Sequence, residues 1–151
     1  MAHPESIAER IRHFCEECER RGIKLTHHRI EIFRELVSTE EHPDAEAVYH
    51  RVKDRIPTIS LDTVYRNLRV LADHGLISVV GSTGERQRFD ANISPHHHFM
   101  CVTCGAIHDF VSERLGTVKT PDEAAVFGEP ISAHLEVRGV CHGCKERSGT
   151  Q

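Results

Sequence analysis

Two cysteine knuckles late in the chain constrain it more than any other feature: Cys101-Val-Thr-Cys104-Gly105 and Gly139-Val-Cys141-His-Gly-Cys144. Each sets two thiolates at i and i+3, with glycine letting the backbone turn so that its amides face sulfur. Together they make a closed four-sulfur site of the kind that structural zinc fills, with no position left for a substrate. The 36 residues between the knuckles exceed a usual zinc-ribbon gap, so that stretch must hold structure of its own. Strand-like "AIHDFV" and "ISAHLEVRGV" are expected to supply it. So is a short helix over "TPDEAAVFG", with Thr120 as cap, Pro121 in first position and Glu123 closing a capping box.

All six cysteines fall into C-x-x-C pairs. The third pair, Cys15/Cys18, lacks glycine and lies on an apolar helix stripe, which reads as small core groups, with a metal or redox role as the alternative. No apolar run has signal-peptide length or could cross a bilayer, so the expectations are a cytoplasmic protein, reduced thiols and no membrane partner. A length of 151 residues fits one domain or two small ones. Net charge is -4, yet Arg51 to Arg88 carries seven Lys/Arg against four Asp/Glu, so a basic face on an acidic protein remains open.

The N-terminal part reads as helices followed by a hairpin. Ile7, Ile11, Phe14, Cys15 and Cys18 form one stripe of a helix ending near Gly22. A second helix follows Thr26 as N-cap, with Ile30, Phe33, Leu36 and Val37 inward. A third follows Asp44, with Ala47, Val48 and Val52 inward. The fourth runs from Ser60 to a left-handed stop at Gly75, burying Val64, Leu68 and Leu71 and leaving Tyr65, Arg66 and Arg69 outside. "LISVV" and "RQRFD", joined by "GSTGE", suit a hairpin. This order is that of a winged helix-turn-helix, with the Ser60 helix in the major groove of DNA. Arg66 can read a guanine edge, Tyr65 can meet a thymine methyl or a phosphate, and Arg69 can neutralise a phosphate. A solvated helix face is the bland alternative.

The histidines call for a different metal. His96 and His98 alternate on a strand leading into Cys101 and so share a face, with His97 on the other. With Asp90 and Asp109 nearby in sequence they make a mixed nitrogen and oxygen set, which suits iron(II) or manganese(II). Taken alone, the three histidines also fit an exposed polar strand start, and His42 beside Pro43 fits a helix-entry histidine.

In their joint order, "HPDAEAVY", "ISLDTVYRNLRVLADHGLI", "RFD", "HHHFMCVTCGAIHDF" and "EVRGVCHGC" resemble the ferric uptake regulator family of dimeric metalloregulatory repressors, from about Arg21 to Cys144. The resemblance implies an α+β chain: a winged helix-turn-helix DNA-binding domain at 1–90 and a zinc-stabilised α/β dimerisation domain at 91–151. It implies structural Zn(II) on Cys101, Cys104, Cys141 and Cys144. Regulatory Fe(II) or Mn(II) would sit on His42, Asp90, His96, His98 and Asp109, with His42 on one domain and the others on the second or at the junction. The implied partners are double-stranded operator DNA and a second copy of the chain. Candidate DNA contacts are Lys24, matching a basic residue that some members place in the minor groove, with Ser60, Thr63, Tyr65, Arg66 and Arg69.

Aspartate at Asp90, where iron-sensing members tend to carry glutamate, looks like the peroxide-responsive branch. There, iron-catalysed oxidation of a ligand histidine, His42 or His96, would release metal and DNA. Thr26-His27-His28-Arg29 departs from the Thr-Pro-Gln-Arg common in the family. A further metal site of some iron sensors has only His134 matched, with Pro95, His97 and Gly116 elsewhere, so none of that kind is expected. Gly116 and Pro121 cut the helix of the dimerisation domain. Iron sensing is the nearest alternative. From other classes, a non-haem iron enzyme and a zinc-stabilised interaction module remain open.

Overall fold

A computed structural model describes residues 5–81, 87–115, 118–130, 133 and 135–149. The chain divides into two compact units, the first ending at Ile93 and the second beginning at Ser94.

In the first unit, helices α1 (Ile7–Arg20), α2 (His27–Val37), α3 (Ala45–Lys53) and α4 (Leu61–Asp73) precede strands β1 (Ser78–Val80) and β2 (Arg88–Asp90). Every helix starts on a side-chain cap that satisfies an otherwise orphaned amide: Ser6, Thr26, Asp44 and Ser60 accept from Glu9, Arg29, Ala47 and Thr63 respectively. The last three were legible. The Ser6/Glu9 capping box was not anticipated. After α1 and α4 the backbone turns at Gly22 (φ 69°) and Gly75 (φ 70°), a conformation in which a side chain would be strained.

Apolar faces of all four helices meet Leu76, Ile77 and Phe89 in one core, and Ile32, Val48, Val52, Val64, Leu68 and Leu71 are fully enclosed. Cys18 belongs to this core and Cys15 packs against it, and burial pushes both thiols above the usual range, so the small-apolar reading of the pair holds. Two expected inward residues are corrected. Ile7 is exposed because it opens the helix beyond the core, and Ala45 replaces Ala47 on the inner face of α3 because Ala45, Val48 and Val52 follow the helical period.

β1 and β2 pair antiparallel with Val79 opposite Phe89. The expected turn between them covers 81–85, of which 82–85 lie outside the described residues.

The second unit contains β3 (His97–Cys101), β4 (Ile107–Phe110), β5 (Glu136–Gly139) and α5 (His142–Ser148). The sheet order is β4-β3-β5, with β3 antiparallel to β4 and parallel to β5. The helix expected over "TPDEAAVFG" is a 3₁₀ turn at Asp122–Val126 instead. It starts after Pro121 with no side-chain cap, so neither Thr120 nor Glu123 plays its expected part. None of its residues is buried, which leaves it without the packing that holds a short helix in water. Gly116 and His134 lie outside the described residues.

Candidate metal centres and DNA-reading face

Parallel pairing of β3 with β5 is what assembles the four thiols. Cys101 stands in register with Gly139, so both strands finish at the same edge of the sheet and each runs directly into a knuckle. After Cys101 the chain reverses through Gly105 (φ 74°), with the Gly105 amide donating to the Cys101 carbonyl at 2.9 Å. After Gly139 it enters α5, with Cys141 at the N-cap and Cys144 on the first turn. The four sulfurs lie within 4.8 Å of one another. Cys104 Sγ and Cys141 Sγ are 3.8 Å apart, too long for a disulfide. That spacing is the edge of a tetrahedron whose metal–sulfur bonds are about 2.3 Å, the length for zinc.

The electrostatics also ask for a cation. Amide hydrogen bonds from Cys141, at 3.3 Å, and from Cys104 pull the Cys101 thiol down to about 5. Cys144 behaves oppositely: Arg147 donates to its sulfur at 3.1 Å and favours the thiolate, but burial and the neighbouring thiols Cys141, Cys104 and Cys101 push it up to about 11. A divalent ion among the four sulfurs would replace their protons and favour the thiolate of Cys144 as well as that of Cys101. Arg147 was not singled out from the sequence, since an arginine three residues past a cysteine looks like any solvated helix residue.

Four of the five candidate nitrogen and oxygen ligands fall into two cross-strand pairs, one in each unit, and His96 joins the second. In the first, residues 42–44 run alongside β2. The Phe89 amide donates to the Pro43 carbonyl (3.0 Å), Arg88 Nε donates to the His42 carbonyl (2.6 Å), and Asp44 bridges Arg88 antiparallel. That register sets His42 opposite Asp90, with Nε2 and Oδ2 3.3 Å apart. Asp90 therefore pairs with His42 within the first unit, three residues before that unit ends.

In the second unit, His98 pairs in register with Asp109, and Nε2 is 3.3 Å from Oδ1. His96, two residues earlier on the same face, brings its Nε2 to 3.0 Å from His98 Nε2 and 3.7 Å from Asp109 Oδ1. His97 points the other way: its Nδ1 accepts from the Leu135 amide at 3.1 Å. The alternation argument holds. His96 Nδ1 donates to the Ser94 carbonyl at 2.6 Å, which fixes the tautomer with Nε2 turned toward His98 and Asp109. Spacings of 3.0 to 3.3 Å match adjacent ligands at right angles around an ion held at about 2.1 Å. The donor set thus fits a hard divalent ion.

The candidate DNA contacts all belong to the first unit. Tyr65, Arg66, Arg69 and Lys24 are exposed, while Ser60 and Thr63 are engaged in the cap of α4, their hydroxyls 2.8 Å apart. Arg66 is held by Asp62 at 3.0 Å, an exposed pair worth at most about 0.5 kcal/mol and so easily exchanged for another acceptor. Between α4 and the β1–β2 pair runs a groove of about 530 Å³, lined by Tyr65, Arg66, Arg69, Val79, Gln87 and Phe89 among others.

Comparison with known proteins follows the same lines. Residues 20–135 match the ferric uptake regulator family. The chain belongs to that family. A peroxide-responsive repressor of Staphylococcus epidermidis is 32% identical over 145 residues, spanning 96% of this chain and 97% of that protein. The solved ferric uptake regulator of Francisella tularensis with iron is 26% identical, covers 82% of this chain and 96% of its own, and superposes with a TM-score of 0.63. That of Helicobacter pylori, at 21% identity, covers 96% and 97% with a TM-score of 0.72, and shows the shared fold.

The α+β fold is the family's, an N-terminal winged-helix DNA-binding domain with a C-terminal dimerisation domain. Its members are transcription regulators rather than enzymes, and this chain is one of them, so the non-haem enzyme reading falls away. No helix among the described residues is long and apolar enough to cross a membrane.

Proposed function

We propose that this protein is a dimeric, metal-dependent repressor of operator DNA that senses peroxide through oxidation of a histidine in its regulatory site. The four thiols hold structural Zn(II). The harder set of His42, Asp90, His96, His98 and Asp109 holds Fe(II) or Mn(II). His42 and Asp90 of the first unit and His96, His98 and Asp109 of the second would hold that ion, and its binding would favour one orientation of the recognition helices. In a dimer that orientation fixes the distance between two α4 helices, which has to match half-sites spaced by the DNA repeat. A coupling of about 1 to 3 kcal/mol changes DNA affinity by about 5- to 150-fold. Lys24, Ser60, Thr63, Tyr65, Arg66 and Arg69 supply the contacts, the arginines reading bases and phosphates.

The observation that carries the peroxide reading is Asp90, an aspartate 3.3 Å from His42, in a chain 32% identical to a peroxide-responsive repressor. Iron(II) held by these residues would activate hydrogen peroxide, so that one peroxide oxygen would be inserted into an imidazole C–H of His42 or His96 and the other would leave as water. The residues do the rest: Ser94 and the cross-strand aspartates orient the rings, and a modified histidine no longer holds metal.

Mass spectrometry of the iron form after peroxide exposure tests the reading. A gain of one oxygen on His42 or His96, with loss of DNA binding, is expected in the wild type. Asp90→Glu should lose that sensitivity while keeping metal-dependent binding. Equal oxidation of both proteins overturns the choice of branch, and no oxidation in either assigns the chain to iron sensing.

A further inference from the structure

The first turn of α2 carries an arginine whose side chain leaves its own helix. The Arg29 amide is capped by Thr26 Oγ1 at 3.2 Å, while its guanidinium donates from Nη1 to the Lys24 carbonyl (2.6 Å) and from Nε to Asn67 Oδ1 (3.0 Å). Asn67 lies on α4, and its Nδ2 donates to the Thr63 carbonyl one turn earlier, at 2.8 Å. The two bonds at Asn67 agree on the orientation of its amide: the oxygen can only accept and the nitrogen only donate. All four residues belong to the first unit. The relay therefore runs from the main chain of Lys24, through Arg29, to the face of α4 that carries Thr63 and, one helical step further, Arg66.

We propose that Arg29 is a positioning residue that locks the Lys24 segment to α4, so that the two DNA-reading elements keep a fixed register and Arg29 sets sequence discrimination rather than adding phosphate affinity. The inference rests on the DNA-binding reading above. Three features of the geometry support it. The guanidinium is planar and presents its donors at fixed angles, so two bonds to two different segments define a direction as well as a distance. Its acceptors are a carbonyl and a carboxamide oxygen, so no protonation step between ordinary pH extremes undoes the link. And neither acceptor belongs to the core, so the relay adds a directional polar link to the apolar packing of Ile23, Leu25 and α4. A lysine has the charge but not the fork, and one ammonium cannot reproduce both bonds along the same directions.

The rival is that Arg29 simply neutralises a phosphate, and the salt dependence of binding separates the two. Duplexes are selected from a random pool with the zinc-loaded wild-type chain in Mn(II). Kd for a selected and a scrambled duplex is then measured over a salt series for wild type, Arg29→Lys, Arg29→Met and Asn67→Ser. Positioning predicts that all three variants lose about tenfold in the ratio of selected to scrambled binding. The slope of log Kd against log salt should stay unchanged, and Arg29→Met combined with Asn67→Ser should cost no more than either alone. A parallel loss on both duplexes with the slope shallower by about one, preserved in Arg29→Lys, makes Arg29 a phosphate contact and overturns the proposal. An unchanged ratio overturns it as well. If Arg29→Met fails to fold, Asn67→Ser, which removes the other side of the same bond, decides on the same ratio. A wild-type chain that retards no duplex overturns the DNA-binding reading itself, before any variant is compared.

Discussion

Replacing Arg55 by methionine should destabilise the first unit by about 2 kcal/mol at neutral pH, and the loss should shrink as the solution is acidified. Arg55 follows α3 and reaches back to α2, where its Nε is 2.5 Å from Glu31 Oε2 and its Nη2 2.6 Å from Glu35 Oε1. Both carboxylate side chains are about nine-tenths buried and stand one helical turn apart, so without the guanidinium two like charges share a poorly hydrated site. Removing one partner of a fully buried pair costs about 3 to 5 kcal/mol. Here Arg55 is 40% exposed and Arg34 still lies 3.3 Å from Glu31, and both reduce the figure.

Burial works to raise the Glu31 pKa, but Arg55 and Arg34 overcome it and hold it below the usual carboxylate range. A carboxylate depressed on folding contributes stability above its unfolded pKa of 4.5 and loses it as pH falls through the folded value. In the variant Glu31 loses that cation and takes up a proton more readily, which relieves the carboxylate repulsion on acidification. The chain has no tryptophan, and both tyrosines, Tyr49 and Tyr65, lie in the first unit, so tyrosine fluorescence reads that unit alone. The urea midpoint should fall by about 1 M at pH 7 and by less at pH 5, with Glu35→Gln recovering part of the loss. A shift below about 0.3 M, or one independent of pH, refutes the argument.

Ser60→Ala removes the cap at the start of α4 and should cost about 1 kcal/mol by the same fluorescence measurement, with Ser60→Gly recovering most of it. Cys104→Ser leaves three thiolates in the sulfur site and should release zinc to a chromogenic chelator at least tenfold faster than wild type. Zinc retention equal to wild type would place the ion elsewhere.

Local signals were legible in the sequence and long-range ones were not. Thr26, Asp44 and Ser60 announce their helices because a cap acts over three residues, and the glycine in each knuckle announces its turn in the same way. The pairing of His42 with Asp90 spans 48 positions and depends on an edge contact between residues 42–44 and β2 that no periodicity encodes. The family resemblance supplied His42. The residues alone pointed to a helix-entry histidine. Glu31 and Glu35 look like a solvated face of α2 until Arg55 is folded against them. Convergence of the knuckles was expected from ligand chemistry, but its cause, two parallel strands ending at one edge, needed the sheet order. The 3₁₀ turn at Asp122–Val126 shows the limit of capping signals: Thr120, Pro121 and Glu123 were in place, but no apolar face was buried to hold the turn as a helix.

We propose that the nitrogen and oxygen ligands, apart from the sulfur site, are the switch for DNA binding. This is tested most directly by titrating Mn(II) into zinc-loaded wild type and His42→Ala while following retardation of a selected duplex. Metal-dependent retardation is expected of the wild type, and none at matched metal of the variant despite an intact dimer and full zinc content. Retardation of the variant at the same manganese concentration as the wild type, or of either protein without manganese, would contradict it.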